Sequence, residues 1–500
     1  MTAQMCKRVD SGGQAAGGDR MSRWACLAIV AVGVGVAGCL PGPDYVRPDV
    51  STPEDWRIDY VEAADAANTK WWEQFGDPVL DELGDTALKE NLDVRIAAAR
   101  VDQFVGALAA TRSPLFPQVG YGVDASRAQL SRVGQPPLPA GADRYFSLYQ
   151  ASLGASWQID LFGRVRRLSE AAQARVFASE QARRGVVLTL VSSVTSSYIV
   201  LRGLDRQLEI AEATAANFEE TVRIFEARFS RGIASEVELM QIRSQAQQAL
   251  AAIPAFEQAI AAQENLLSIL LGRSPGPIPR GKTLDELVAP PIPAGLPAAL
   301  LERRPDILQA EQNLVAANAN VGAAKALYFP DISITGVLGS VSTDVSDLLS
   351  SSASTMLLGG SVAGPIFTFG GISGQVDAAA AGSREAELAY RQTVLNALRE
   401  TDNALTGSQK KVLEFEMQKL RVESLREFAR LSTLRFDRGV AGYLDVLVAE
   451  NELFAADLAS ARLQAERYVE VVNVYQAMGG GWVDLADSIA PGPQSAAARP

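Results

Sequence analysis

Residues 228–234 read RFSRGIA, and residues 435–441 read RFDRGVA. Five of the seven positions are identical, and the two that differ, Ser230/Asp437 and Ile233/Val440, are mild exchanges. Each glycine interrupts a long stretch of helical composition, so the phrase reads as a turn between two helices. Outward from it the correspondence continues. At the same offset of 207 residues, Leu271-Gly272 matches Met478-Gly479 and Gly163 matches Gly370. At an offset of 213, Leu88 and Asp93 match Leu301 and Asp306, and Phe116-Pro117 matches Phe329-Pro330. One unit is therefore written twice, over roughly 80–272 and 293–479, with the Pro- and Gly-rich SPGPIPRGKTLDELVAPPIPAGLP (274–297) between the copies.

Both copies run in the same order. An Ala- and Arg-rich helix is expected over 79–112 and again over 299–326, each ended by Phe-Pro. A strand pair comes next. In DISITGVLGSV (331–341), Ile332 and Ile334 face one way, Ser333 and Thr335 the other. In the first copy the strands fall near 118–130 and 145–159, the second of them the aromatic YFSLYQASLGASW, with RVGQPPLPAGAD (132–143) as the loop between. Beyond the strands lies a long helix. Its apolar stripe is Leu190, Val194, Ser197, Leu201, Leu204, Leu208, Ala211, Ala215, Phe218, Val222, Phe225 and Phe229, a strict alternation of three and four that marks a coiled-coil seam. No proline falls between Gly163 and Gly232, so this helix can extend about 100 Å, more than a compact domain uses.

After each turn a second helix returns. Its seam begins Leu239, Ile242, Ala246, Ala249 in the first copy and Leu444, Leu447, Asn451, Phe454 in the second. Under the repeat alignment the two seams are out of phase, which predicts that the copies bury different faces. Pro254 is expected to kink the first return helix. A strand pair per copy gives four strands per chain, too few to close a barrel. Chains that pool their strands avoid open sheet edges and give β-structure a way across a membrane.

Composition narrows the function. The hydrophobic fraction of 48% excludes a disordered chain. Histidine is absent, which removes imidazole-based acid–base chemistry, triads and His-containing metal sites. With 46 basic against 58 acidic residues, nucleic acid is a poor partner. Neither a nucleophile motif nor a catalytic pair is found, so no enzymatic activity and no cofactor are expected.

At the N-terminus, Met21-Ser22-Arg23 is followed by an apolar run from Trp24 to Ala37 and then Gly38-Cys39, the layout of a secretory signal. Residues 1–38 are expected to be removed, and residues 1–20 fit an over-called start, with Met21 the initiator. Cleavage before Cys39 would discard Cys6 and Cys26, leaving one cysteine. It would also leave 42 basic against 56 acidic residues. No other segment has 18 consecutive apolar residues, so no membrane-spanning helix is expected.

Val36-Ala37-Gly38-Cys39 resembles the lipobox of bacterial lipoproteins, with an ordinary signal peptide and a chance cysteine as the alternative. GPDYVRP (42–48), WWEQFGDPVLDELGDTALKENLDVRIAAAR (71–100), SWQIDLFGRVRR (156–167), LLERRPDILQAEQNLVAANANVGAAKALYFP (300–330) and YQAMGGGW (475–482) together resemble the outer membrane factors of tripartite efflux and secretion systems. This is the TolC/OprM group, and the lipoprotein branch of the NodT type in particular. The resemblance covers nearly the whole mature chain. It implies a mixed α+β membrane protein: a homotrimer whose twelve-stranded outer-membrane β-barrel, four strands per chain, continues into a long α-helical coiled-coil barrel. It further implies a periplasmic adaptor and an inner-membrane pump, of the resistance-nodulation-division type, as partners. Cys39 would carry a covalent lipid, and Leu40, in place of the Asp that retains lipoproteins at the inner membrane, favours the outer membrane.

The expected layout is then a lipidated extended segment over 39–78, repeats over 79–272 and 299–479, a linker over 273–298 and a disordered tail over 480–500. By resemblance the two turns are the periplasmic tips that meet the adaptor, with Arg228, Arg231, Gly232, Arg435, Arg438 and Gly439 as the contact residues. The arginines have a second reading, as caps of helix C-termini. After the second turn the efflux branch shows Tyr-Leu-x-x-Leu-Asp-Ala-x-Arg. This chain has Val448 at the acid and Asn451 at the arginine, so the ionic latch is absent. Leu444, Leu447 and Val448 are expected to form an apolar constriction instead, with Asp445 and Glu450 as acidic partners. Asn451, a lone polar seam residue, fits register setting better than gating. Trp71-Trp72 and Trp482 are expected to pack the chain ends against the helices. Efflux of drugs, solvents or metal ions is the function this implies. Protein secretion through the same channel is the alternative, and a lipid-anchored scaffold without a pore is the alternative of another class.

Overall fold

A computed structural model of the chain describes residues 41–53, 56, 70–131, 141, 143–292, 300–479 and 482–494. Cys39, the signal segment and the end of the linker lie outside these residues. The described chain divides into two compact units, one holding 41–44, 110–171 and 318–380, the other the remainder.

The first unit is built on a four-stranded antiparallel sheet in sequence order: β1 (Gln118–Gln129), β2 (Tyr145–Ile159), β3 (Asp331–Ser342) and β4 (Ser354–Ala363). Its register is continuous, from Gln118 opposite Ser156, through Ile159 opposite Ile332, to Asp331 opposite Ala363. That register gathers Val119, Tyr121, Val123, Leu153, Trp157, Ile334, Leu338, Met356, Leu358 and Val362 on one face, all of them exposed. The other face carries Gln118, Asp124, Ser126, Gln150, Ser152, Gln158, Ser333, Thr335 and Ser361. A sheet in water hides its apolar face. Here the apolar face is left uncovered, and the polar face is largely open as well; an uncovered apolar face is the pattern of a barrel wall turned toward lipid. Ten to fifteen residues per strand suffice for a tilted strand to cross a bilayer.

The second unit is helical. It contains α1 (Pro78–Glu90), most of α2 (Leu92–Arg112), α4 (Glu236–Leu270), α7 (Tyr443–Met478) and α8 (Trp482–Asp487). The 67-residue α3 (Arg164–Ser230) and α6 (Gly371–Asp437) have their greater part here too. At 1.5 Å per residue, 67 residues make a helix of about 100 Å. Along α3 the predicted stripe is buried or half-buried from Leu190 to Phe225, and only Phe229 at its end is exposed. An 18-residue window of α3 has a mean hydropathy of 1.5, which a count of consecutive apolar residues overlooks; 61% of it is buried, as in a packed core helix.

Several expectations are corrected. The first helix is two helices, because Asn91 ends α1 and caps α2: its Oδ1 accepts from the amides of Asp93 (2.8 Å) and Val94 (3.1 Å). Its Nδ2 donates to the carbonyl of Leu270 at 2.9 Å. In the second repeat the same break is made by Arg304 before Pro305, which opens α5 (Pro305–Lys325) after a single helical turn at Leu300–Arg303. Arg304 Nη1 donates to the carbonyl of Ala477 at 2.7 Å. Leu270 and Ala477 are themselves repeat counterparts, so the two copies tie the end of each hairpin to the helix break with different side chains.

Pro254 lies inside α4, which remains helical on both sides of it. Near the turns the two return helices bury equivalent positions, Leu239 with Val446, Ile242 with Ala449, and Ala249 with Ala456. Of the seam expected for the second copy, Leu447 and Phe454 are buried, Asn451 is half-buried and Leu444 is exposed, so the buried face of α7 lies nearer to that of α4 than the expected phase difference allowed.

Residues 482–487 are helical, not disordered. Trp482 is fully buried against Trp71 and Trp72 at 5.8 and 5.7 Å, and Trp71 stacks on Tyr475 at 4.8 Å. Ion pairs of Arg183 with Asp487 (2.7 Å) and Arg184 with Asp484 (2.9 Å) fix α8 on α3. Burial of the tryptophan and these ion pairs together offset the entropy lost in ordering the segment.

Candidate functional site: two hairpin tips and the segment behind the second

The two turns share one backbone. Gly232 and Gly439 are left-handed at φ 70° and 69°. Ile233 N donates to Arg228 O (2.9 Å) and Val440 N to Arg435 O (3.0 Å). This is the closing bond of a glycine-terminated helix, and it satisfies carbonyls that would otherwise have no partner. A side chain at either glycine would meet open space but a strained φ. The turns differ in how the return helix begins. Ser235 and Glu238 form a complete capping box at the start of α4. α7 starts at Gly442 without a side-chain cap.

The four arginines separate. Arg231, Arg435 and Arg438 are exposed at the tips beside Gly232 and Gly439. Arg228 instead lies over the rings of Phe225 and Phe436, 5.3 Å from each. Phe225, Phe436 and Tyr443 contact one another at 4.4–6.2 Å. The guanidinium thus bridges the first hairpin to the second by cation–π contacts, above a core that includes Phe218, Leu239, Ile242, Val446 and Leu447. Arg228 and Arg435 also lie in the last turns of α3 and α6, where a cation offsets the helix dipole.

The segment behind the second tip is divided too. Leu444 (55% exposed), Asp445 and Val448 (45% exposed) share an outward face of α7. Leu447, 4% exposed, belongs to the tip core, and Asn451 is half-buried. An apolar constriction drawn from this segment therefore consists of Leu444 and Val448, without Leu447. Glu450 lies toward a cavity of about 360 Å³ shared with Arg206, Asn217, Phe218, Phe454 and Asp457. Burial pushes its carboxyl above the ordinary glutamate range. Burial, and then the charge of Glu450, push the Tyr443 hydroxyl up as well.

Two anchors escaped the sequence reading. Arg304 is buried, bonded to Asp306, Glu400 and Ala477, in a motif that read as an ordinary helix start. The clamp around Arg228 needed Phe225, whose place in the seam was legible, and Tyr443, whose contact was not. Among the described residues, no group of three or more acidic side chains is placed to hold a metal ion.

The family model of the outer membrane efflux protein matches residues 83–273 and again 296–480. The chain is 33% identical over 455 residues to the solvent efflux pump outer membrane protein SrpC of Pseudomonas putida, covering 89% of this chain and 96% of that protein. It is 32% identical over 457 residues to the cation efflux system protein CusC of Escherichia coli O6:H1, covering 90% and 97%. Among solved structures it superposes on the open state of the Neisseria gonorrhoeae MtrE outer membrane channel with a TM-score of 0.80, at 30% identity, covering 89% of this chain and 99% of that one.

Proposed function

The chain belongs to the outer membrane efflux protein family, and we propose that it passively exports drugs, solvents or metal ions that an inner-membrane pump delivers through a periplasmic adaptor. It is the outer membrane channel of a tripartite efflux pump and extends into the periplasm. What carries the export reading is the sheet of the first unit, with its apolar face outward and, among the described residues, both edge strands unpaired within the chain. Such a sheet fits a wall segment of a larger barrel. Three chains would supply twelve strands and form a homotrimer. Relatives with names that specify solvent and cation efflux support small solutes as cargo.

Cys39 is the proposed lipid attachment point, supported by the Val36-Ala37-Gly38 preceding it and by Leu40. The exposed Arg231, Arg435 and Arg438, set beside Gly232 and Gly439, are the proposed adaptor contacts, and Arg228 supports them from behind. The pump is proposed to be of the resistance-nodulation-division type. Deleting the gene and measuring susceptibility to a panel of antibiotics, solvents and metal salts tests the function. Increased susceptibility to at least one class, restored by the wild-type gene and weakened with Cys39→Ser, is expected. Unchanged susceptibility across the panel would count against efflux.

A further inference from the structure

The internal repeat sets an ion pair in the first hairpin and omits it from the second. In the first, Arg243 of α4 reaches back to Glu226 of α3 at 2.6 Å. Their counterparts at the offset of 207 are Glu450 and Thr433. Thr433 turns its hydroxyl to the carbonyl of Ala429 in its own helix, at 2.9 Å. Glu450 is half-buried and, among the described residues, makes no hydrogen bond or ion pair. A carboxylate drawn from water without a partner carries an uncompensated desolvation cost.

Glu450 opens on the cavity of about 360 Å³, which is lined by α3 of the first hairpin and by α6 and α7 of the second. That volume is ordinary for a small-molecule site. Its apolar lining is Phe218, Phe454 and Ala429, all buried, with Ile210 and Leu453 half-buried. The other charges of the lining have partners. Arg206 holds Glu209 at 2.9 Å, and Arg426 holds Asp457 at 3.4 Å. Glu450 is the lining charge left over.

This lining sorts ligands by class. An anion would meet net negative charge. A neutral apolar molecule would dry the Glu450 carboxylate further and return nothing for it. A metal ion needs several hard ligands, and among the described residues no group of three acidic side chains is placed to hold one. An organic cation satisfies both parts of the lining, because its charge meets the carboxylate and its body meets rings whose faces attract a cation.

We propose that the cavity between the hairpins binds a monovalent organic cation, its charge paired with Glu450 and its apolar body packed against Phe218 and Phe454. The site goes beyond the export reading, since the cation can occupy it whether or not it is cargo. A ligand that touches α3 and α7 together joins the two hairpins, in addition to the Arg228 clamp.

Fluorescence titration of ethidium into the full-length, detergent-solubilised protein at neutral pH tests the site, with protein-free micelles as the blank. Saturable binding is expected. Glu450→Gln, which keeps the shape of the side chain, should weaken it at least about tenfold. Asp457→Asn should weaken it by about threefold or less, because Arg426 already offsets that acid. Ala213→Trp fills the cavity from an exposed lining position of α3 and leaves its charges in place, so it should abolish binding. Phenanthridine, the uncharged ring system of ethidium, should not displace the dye. Ethidium should also raise the midpoint of thermal unfolding of the wild type and leave that of Glu450→Gln unchanged. The site is overturned by a lack of saturable binding, by unchanged affinity in Glu450→Gln or Ala213→Trp, or by equal affinity for phenanthridine. If Ala213→Trp fails to fold, the Glu450→Gln affinity and the thermal shift decide alone. Solubilised protein has neither pump nor second compartment, so failure here leaves the export reading standing, and the gene-deletion panel tests that separately.

Discussion

Leu444 and Val448 lie one helical turn apart on α7 and both face away from the tip core, while Leu447 between them is buried in it. If the outward pair closes the channel, Leu444→Ser removes apolar burial of about 1.5–3 kcal/mol per closed contact. Each 1.4 kcal/mol shifts the closed–open balance by about tenfold. Basal conductance should therefore rise with Leu444→Ser and change little with Asn451→Ala; the reverse order would reassign the gate. Glu450 gives a second prediction at this scale. Its carboxyl is raised by burial, so the folded state binds a proton more tightly than the unfolded one. Stability then falls as pH rises from the ordinary value of 4.5 to the raised one, and the loss is complete above it. Glu450→Gln should raise the midpoint of thermal unfolding at pH 7 and flatten its dependence on pH across that window. An unchanged midpoint at pH 7 would mean that the charge costs nothing there.

The elements show what could be read beforehand. The hairpins were legible because a period repeated over 40 residues outweighs any local ambiguity, and the turns because only glycine takes their φ at little cost. The difference between Arg228 and Arg435 was not legible, since both hold the same place in the repeated phrase. One of the two rings under Arg228 has no aromatic counterpart: Phe225 corresponds to Ser432, whereas Phe436 corresponds to Phe229. The break at Asn91 was also hidden. Asparagine is only mildly unfavourable in a helix, and the carbonyl that fixes its side chain belongs to Leu270, 179 residues away. Arg304 performs the same task with a larger group, at 8% exposure. Arg304→Ala would leave the Ala477 carbonyl without this donor and should cost about 1–3 kcal/mol. Denaturant unfolding measures it, and a loss below about 0.5 kcal/mol, the range of ordinary surface changes, would show that the anchor is dispensable.

For the whole molecule, alternation in the strands predicted two unlike faces, and the register supplies them. The sequence could not show that the apolar face is left uncovered, because alternation reads the same in either direction. Trp482 packs against Trp71 and Trp72 as its residue type suggested, but the helix it opens was not legible, since the tail after the glycines has no period to read. An apolar sheet face left open and outer strands unpaired within the chain are costs for an isolated chain, and they are removed by assembly in a bilayer. Conduction tests that account most directly. Purified protein reconstituted in planar bilayers should give discrete conductance steps, small for the native chain and larger for Leu444→Ser. A protein shown to be inserted that never conducts, with Leu444→Ser and with Arg228→Ala alike, would contradict the channel.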